Sequence, residues 1–196
     1  MAFVVLEGFS GTGKTTIARH LEKRGWLRFQ ESAHALPNHV PVADRGDTSS
    51  DYSLVGATLT YTSTIFRARG IRNLVSEGYL LSDLAYAKIR FELKKSKAFP
   101  ILYDLCREVL TIPAMRPDLY VLLEARPETI GDRQGGKNER DRNSTEYFRT
   151  RYYSALAEIH RKLNEIRTVR VFTDSSSERT LEEVLAAISK KSVADK

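Results

Sequence analysis

Phe3-Val4-Val5-Leu6-Glu7-Gly8-Phe9-Ser10-Gly11-Thr12-Gly13-Lys14-Thr15-Thr16-Ile17-Ala18 contains a glycine, four further residues and then Gly-Lys-Thr, between Gly8 and Thr15. The pattern gains force from its surroundings. An apolar, β-branched run precedes it and reads as a buried strand, and the stretch from Thr16 to Lys23 reads as a helix. Glycines at 8, 11 and 13 allow backbone conformations that a Cβ forbids, so successive N–H groups can turn inward on an anion. The helix beginning at Gly13 or Lys14 aims its unpaired N–H groups and positive end at the same place. Gly8, Ser10, Gly11, Thr12, Gly13, Lys14, Thr15 and Thr16 are therefore the expected nucleotide-phosphate contacts. Lys14 would reach the β and γ phosphates of ATP, and the Thr15 hydroxyl would hold Mg2+.

Outward from this loop, composition sets bounds. A chain of 196 residues suffices for one well-buried domain, here residues 1–196, and is short for two. Charged residues at 29% and hydrophobic residues at 41% are those of a globular protein. The one cysteine, Cys106, excludes an internal disulfide and fits a reducing compartment. No run approaches the ~20 apolar residues of a membrane span. A cytoplasmic location without membrane contact is the expectation. The net charge of +6 keeps a nucleic-acid partner in view. An anionic small molecule explains the densest basic cluster equally well, and nucleic acid is not favoured. Whether the chain pairs as a homodimer is left open.

After the first helix, 26–30 reads as a strand that closes on Glu31. The stretch Ser32 to Ser53, with Pro37, Pro41 and Gly46, reads as a long loop and is the candidate acceptor loop (32–53). Arg45 lies in it. A helical pattern follows from about Leu54 to Ser76, as one helix or two around Gly70, and Gly78 reads as its terminator. Tyr79-Leu80-Leu81-Ser82 reads as a short buried strand ending in Asp83, an acid placed for the magnesium side. Helices are expected over 84–97 and 101–111, a strand over 118–123 ending at Glu124, and a short helix from Pro127 to Arg133.

Residues 134–143 contain no apolar side chain. They read as an exposed mobile segment, with Arg133 at its root and Arg140 and Arg142 within it. Ser144 or Thr145 would cap the next helix, whose apolar stripe runs through Phe148, Tyr152, Leu156, Ile159 and Leu163. Thr168 to Phe172 reads as a last strand and 177 onward as a last helix. The four histidines show no metal-ligand spacing. Strand and helix alternate about five times, which specifies a five-stranded parallel sheet flanked by helices. Gly8 to Thr15, Glu31, Asp83 and Glu124 then all fall at carboxyl ends of strands, where such sheets bind ligands.

These residues resemble the thymidylate kinase group of phosphate-loop kinases and its deoxynucleoside kinase relatives. The opening from Phe3 to Thr16 is very similar to theirs. Glu31 matches the glutamate that begins their substrate loop, and Tyr79 to Asp83 with Ala85-Tyr86 is similar to a strand ending in Asp-Arg followed by Ala-Tyr-Gln. Pro117 to Leu123, Pro127-Glu128, Arg133, Asp141-Arg142 and Glu146 to Arg149 extend the likeness. It implies a P-loop kinase fold with an arginine-rich lid over 134–143, ATP and Mg2+ as cofactors, and a nucleoside or nucleoside monophosphate as acceptor. It also implies catalytic roles for Lys14, Asp83, Arg133, Arg140 and Arg142, a second metal contact at Asp83, and a substrate contact at Glu31; Arg45 and Arg67, with Arg69 and Arg90, are candidates to supply substrate with the charge of an arginine that the family has after the aspartate and this chain lacks. Three departures bear on the acceptor: Ser10 replaces an aspartate, Leu84 follows Asp83 where arginine is usual, and 32–53 lacks a glycine-proline pattern.

The alternatives are a kinase of another small molecule such as an antibiotic, a kinase of nucleic-acid ends, and an NTP-hydrolysing switch protein. Against the switch, no Asn-Lys-x-Asp segment for reading guanine is present.

Overall fold

The computed structural model describes residues 2–31, 47–68, 73–133, 139–163 and 167–194, and of residues 61, 62, 65–68, 139–145 and 191–194 the backbone alone. Five strands, β1 (Phe3–Glu7), β2 (Leu27–Phe29), β3 (Leu74–Glu77), β4 (Leu119–Glu124) and β5 (Thr168–Phe172), form one sheet in the order β2-β3-β1-β4-β5. Every neighbouring pair is parallel. Parallel neighbours need crossovers, supplied here by α1 (Lys14–Glu22), α2 (Thr48–Ala68), α3 (Leu80–Glu92), α4 (Phe99–Thr111), α5 (Pro127–Arg133) and α6 (Glu139–Leu163); α7 (Ser177–Ala194) follows β5.

The central strand explains why its sequence is apolar without alternation. Phe3 and Val5 point into a core shared with α3, α4 and α6, while Val4 and Leu6 point into a second core shared with α1 and α7. Buried on both faces, the strand has no solvent side to carry polar residues. In β4, Tyr120 and Leu122 join the first core and Leu119, Val121 and Leu123 the second. The three layers place the carboxyl ends of β1, β2 and β3 together at one edge of the sheet.

Several expected boundaries are corrected. The third strand is Leu74–Glu77, and Tyr79 to Ser82 open into helix α3 instead. Both runs are apolar, so burial alone did not separate them; Gly78, at φ +72, is the turn between strand and helix rather than the end of a helix. Asp83 consequently lies in the first turn of α3, not at a strand end. Helix α2 starts at Thr48, within the stretch read as loop, because Asp47 caps it: its carboxylate accepts from Ser50 N at 2.9 Å and Ser50 Oγ at 3.0 Å. Helix α3 stops at Glu92, short of Lys97, where Lys94 turns to φ +58. Helix α6 begins at Glu139, ahead of Ser144, and takes in Arg140 and Arg142. Glu139 and Asp141 in its first turn suit the positive end of the helix, which a search for apolar periodicity does not register.

Candidate active site

The loop after β1 is shaped by its glycines. Gly8, Gly11 and Gly13 take φ values of +152, +86 and +90. A Cβ on Gly8 would stand 2.6 Å from both the Leu123 carbonyl and Thr12 Oγ1, so β4 closes off the space that a side chain would need. Thr12 turns inward and fastens the loop, its hydroxyl donating to Phe9 O at 2.8 Å. Gly13 provides no side-chain cap to α1. The first N–H groups of that helix therefore face the concave side of the loop, where an anion would accept from them.

Lys14 is 9% exposed and folds back along the loop. Its ammonium donates to Gly8 O at 2.7 Å and lies 3.7 Å from Glu31 Oε2. Thr15, next along α1, donates its hydroxyl to Glu77 Oε2 at the end of β3. The other carboxylate oxygen, Oε1, accepts from Arg28 Nε of β2 at 2.6 Å. Glu77 is thus the acid set beside the loop threonine, a position that the sequence reading gave to Asp83. The signal was present as an acid closing the apolar Leu74-Val75-Ser76, masked by the longer apolar run after Gly78.

A second set of polar groups is buried behind Lys14. Glu7 ends β1 with no exposure and accepts from Ser82 Oγ of α3 and from Tyr152 of α6 at 3.3 Å, both at Oε2. Burial pushes its carboxyl up to about 8, against the downward pull of the Ser82 hydrogen bond and the Lys14 charge. Asp83 accepts from Thr58 of α2, and burial pushes it up to about 7, more than the Thr58 bond offsets. Arg90, fully buried, donates to Asp51 through Nε at 2.7 Å and lies 5.8 Å from the Tyr86 ring. The charges of Glu31 and Asp83 both raise the proton affinity of Glu7, and that of Glu31 raises Asp83's, so Glu7, Glu31 and Asp83 form one acidic wall beside Lys14. Sequence reasoning missed Glu7, Ser82, Tyr152, Thr58 and Asp51, the partner that holds Arg90, because inward polar groups on α2, α3 and α6 have no readable spacing.

Arg133, at the end of α5, bridges the loop to the far side of the sheet. Its guanidinium donates to Gly11 O at 3.3 Å, to Thr173 Oγ1 at 3.0 Å and to the Thr173 carbonyl. Asp174 holds the start of α5 by accepting from Arg126 N at 3.0 Å and Thr129 Oγ1 at 2.6 Å. Ser10 and Thr16 are exposed along the loop and helix start. Of the other expected contacts, Arg45 and Arg69 lie outside the described residues, and Arg67, Arg140 and Arg142 have their backbone in helices α2 and α6 but side chains outside the description.

The chain superposes on thymidylate kinase from Candida albicans with a TM-score of 0.73, over 97% of this chain and 92% of the other, at 18% identity. Deoxyadenosine kinase from M. mycoides with bound dATP is similar over 95% of this chain and 99% of the other, with a TM-score of 0.67 and 16% identity. The fold is that of the thymidylate and deoxynucleoside kinases. No family model and no curated protein sequence matches the chain. At these identities the likeness is one of fold. In this fold the loop, Glu31 and Glu77 all lie at the carboxyl ends of the parallel strands. No helix among the described residues is long and apolar enough to cross a membrane.

Proposed function

We propose that the protein transfers the γ-phosphoryl group of Mg·ATP to a nucleoside or nucleoside monophosphate. The observation that carries this reading is the position of Lys14, inside the phosphate-binding loop on one side and 3.7 Å from Glu31 on the other. A cation so placed can serve a donor and an acceptor together.

The residues present fit the nucleotide and its metal. The loop has the positive-φ glycines and uncapped helix start that a polyphosphate requires. Among the described residues no group of three or more His, Cys, Asp or Glu could hold a metal ion by itself. That suits Mg2+, which keeps waters and phosphate oxygens and takes only one or two protein ligands. Thr15 and Glu77 would hold it, in preference to Asp83, which faces Thr58. When bound, the metal would neutralise phosphate charge and align the β and γ groups.

The chain's own groups would then act as follows. Lys14 exchanges its bonds to Gly8 O and Phe9 O for phosphate oxygens, which carry the charge of the transition state. An acceptor oxygen forms the new bond to the γ-phosphorus as the bond to the bridging β–γ oxygen breaks, and ADP leaves. For a hydroxyl acceptor, Glu31 is the carboxylate at Lys14 and takes the proton; a monophosphate acceptor has no proton to give. Asp83, whose carboxyl burial pushes up to about 7 and which therefore keeps its proton on the acid side of neutrality, serves as a hydrogen-bonding group of the pocket wall. Arg133 fixes the outer rim of the loop, and Arg140 and Arg142, at the start of α6, are candidates to close over the phosphates and exclude water.

A panel of nucleosides, nucleoside monophosphates, nucleoside antibiotics, amino-sugar antibiotics and oligonucleotides, scored for ADP release from ATP, tests the proposal. Stimulation by a nucleoside or its monophosphate is expected. Stimulation confined to an antibiotic would replace the acceptor class, and stimulation by oligonucleotide ends alone would make the enzyme a nucleic-acid kinase.

A further inference from the structure

Arg28 stands in the middle of the edge strand β2, yet its side chain is only 9% exposed. Its strand neighbour Phe29 joins the core under α3, so Arg28 points to the opposite face, beneath α1. There its guanidinium reaches Glu77 Oε1 at 2.6 Å through Nε and Glu22 Oε2 at 3.5 Å through Nη1. Glu77 is 2% exposed, with its second oxygen turned to Thr15. A permanently charged group thus occupies one oxygen of the acid beside the loop threonine and leaves the other addressed to the loop.

From this geometry we infer that Arg28 is a positioning residue for metal choice, making Glu77 a one-oxygen ligand. The inference rests on the donor-site reading above. A carboxylate with both oxygens free can chelate a large ion side-on, as Ca2+ accepts at 2.3–2.6 Å. Mg2+ demands near-octahedral ligands at 2.0–2.1 Å and takes carboxylates through one oxygen. With Oε1 held by Arg28 and the side chain buried, Glu77 cannot turn to offer both. Its charge is also half-shared with a guanidinium, which weakens binding of any cation and weakens it most for an ion relying on carboxylate charge. Neither effect needs Arg28 to touch nucleotide or metal.

The test is calorimetric titration of the full chain with ATP in Mg2+ buffer and in Ca2+ buffer, without acceptor, so that binding is read and turnover is not. For the wild type the Kd in Ca2+ is expected to exceed that in Mg2+ by ~10-fold or more, and for Arg28→Gln this ratio is expected to fall ~5-fold or more, in line with the effect of second-layer partners on metal sites. Arg28→Lys retains the charge but offers one rotatable ammonium instead of a rigid fork, so Mg2+ affinity is kept while the ratio still falls. Should Arg28→Gln fail to fold, the lysine variant decides alone. A ratio unchanged in the folded variants, or a wild type that binds ATP equally in both buffers, overturns the inference while leaving the kinase reading intact. A wild type that binds ATP in neither buffer removes the donor site and this inference together.

Discussion

The Thr15 hydroxyl donates to the Glu77 carboxylate, joining the first turn of α1 to the carboxyl end of β3. This contact separates the polar groups of the site into two sets. Glu77 and Arg28 lie on the α1 face with the loop threonine, whereas Glu7 and Asp83 lie among the side chains of α2, α3 and α6. In the function proposed above, the first set would serve the metal and nucleotide and the second would line the acceptor pocket.

Glu77→Gln and Asp83→Asn should therefore fail differently. For Glu77→Gln, ATP is expected to bind within a few-fold of wild type in EDTA and to lose most of the gain from Mg2+. For Asp83→Asn, ATP binding should be unchanged while the acceptor KM rises ~5-fold, because the amide puts an NH2 where the carboxyl has a second oxygen, and a mismatched pocket hydrogen bond costs on the order of 1 kcal/mol. Titration of each variant with ATP, with and without Mg2+, and an acceptor saturation curve separate the two. Identical losses in both variants would dissolve the division of the site.

Glu7 supplies a pH signature. Its folded pKa of about 8 lies above the ordinary 4.5, so the native state binds more protons than the unfolded chain between those values. Stability from this group is full in acid and is lost as pH rises toward 8, at up to about 1.4 kcal/mol per unit. Asp83, at about 7, acts in the same direction. His160, which burial holds low, works oppositely as pH rises toward its ordinary 6.5. The difference between wild type and Glu7→Gln isolates the Glu7 part: in denaturant melts from pH 5.5 to 8.5, the wild type should lose stability relative to the variant. Parallel curves would show that Glu7 is ionised throughout.

Gly8→Ala should destabilise the fold as well as the site. The added methyl meets the Leu123 carbonyl and Thr12 Oγ1 at 2.6 Å, and the first of these is backbone that cannot turn away. A cost of about 2–4 kcal/mol is expected from such overpacking, read as a lower urea midpoint. Gly25→Ala is the control, because a Cβ there meets nothing within 4 Å although φ is +86; it should cost about 1 kcal/mol from backbone strain alone.

The sheet, the loop and the alternation of strands with helices were legible because they rest on repeated local signals. β1 and β4 are apolar on both faces, and three glycines with Lys14 and Thr15 have one structural meaning in that setting. The third strand was misplaced because Leu74-Val75-Ser76-Glu77 and Tyr79-Leu80-Leu81-Ser82 are equally buried, one in a sheet and one in a helix start. Gly78 at positive φ decides between them, and the sign of φ is not written in a glycine. Asp83 was read as a strand-end acid through that shift, and Glu77, the acid that does end the strand, was overlooked. The buried polar cluster was illegible for a different reason. Thr58, Asp83, Arg90 and Asp51 meet across α2 and α3, and only the packing of those helices gives their spacing meaning.

The central claim is tested most directly by following the labelled γ-phosphoryl group of ATP, with nucleosides and their monophosphates as acceptors, for wild type and Lys14→Ala. Label is expected in a phosphorylated nucleoside or nucleotide with the wild type, and a rate lower by ~100-fold or more in the variant while its circular dichroism is unchanged. Label appearing only as inorganic phosphate, or transfer that survives Lys14→Ala at near-normal rate, would contradict it.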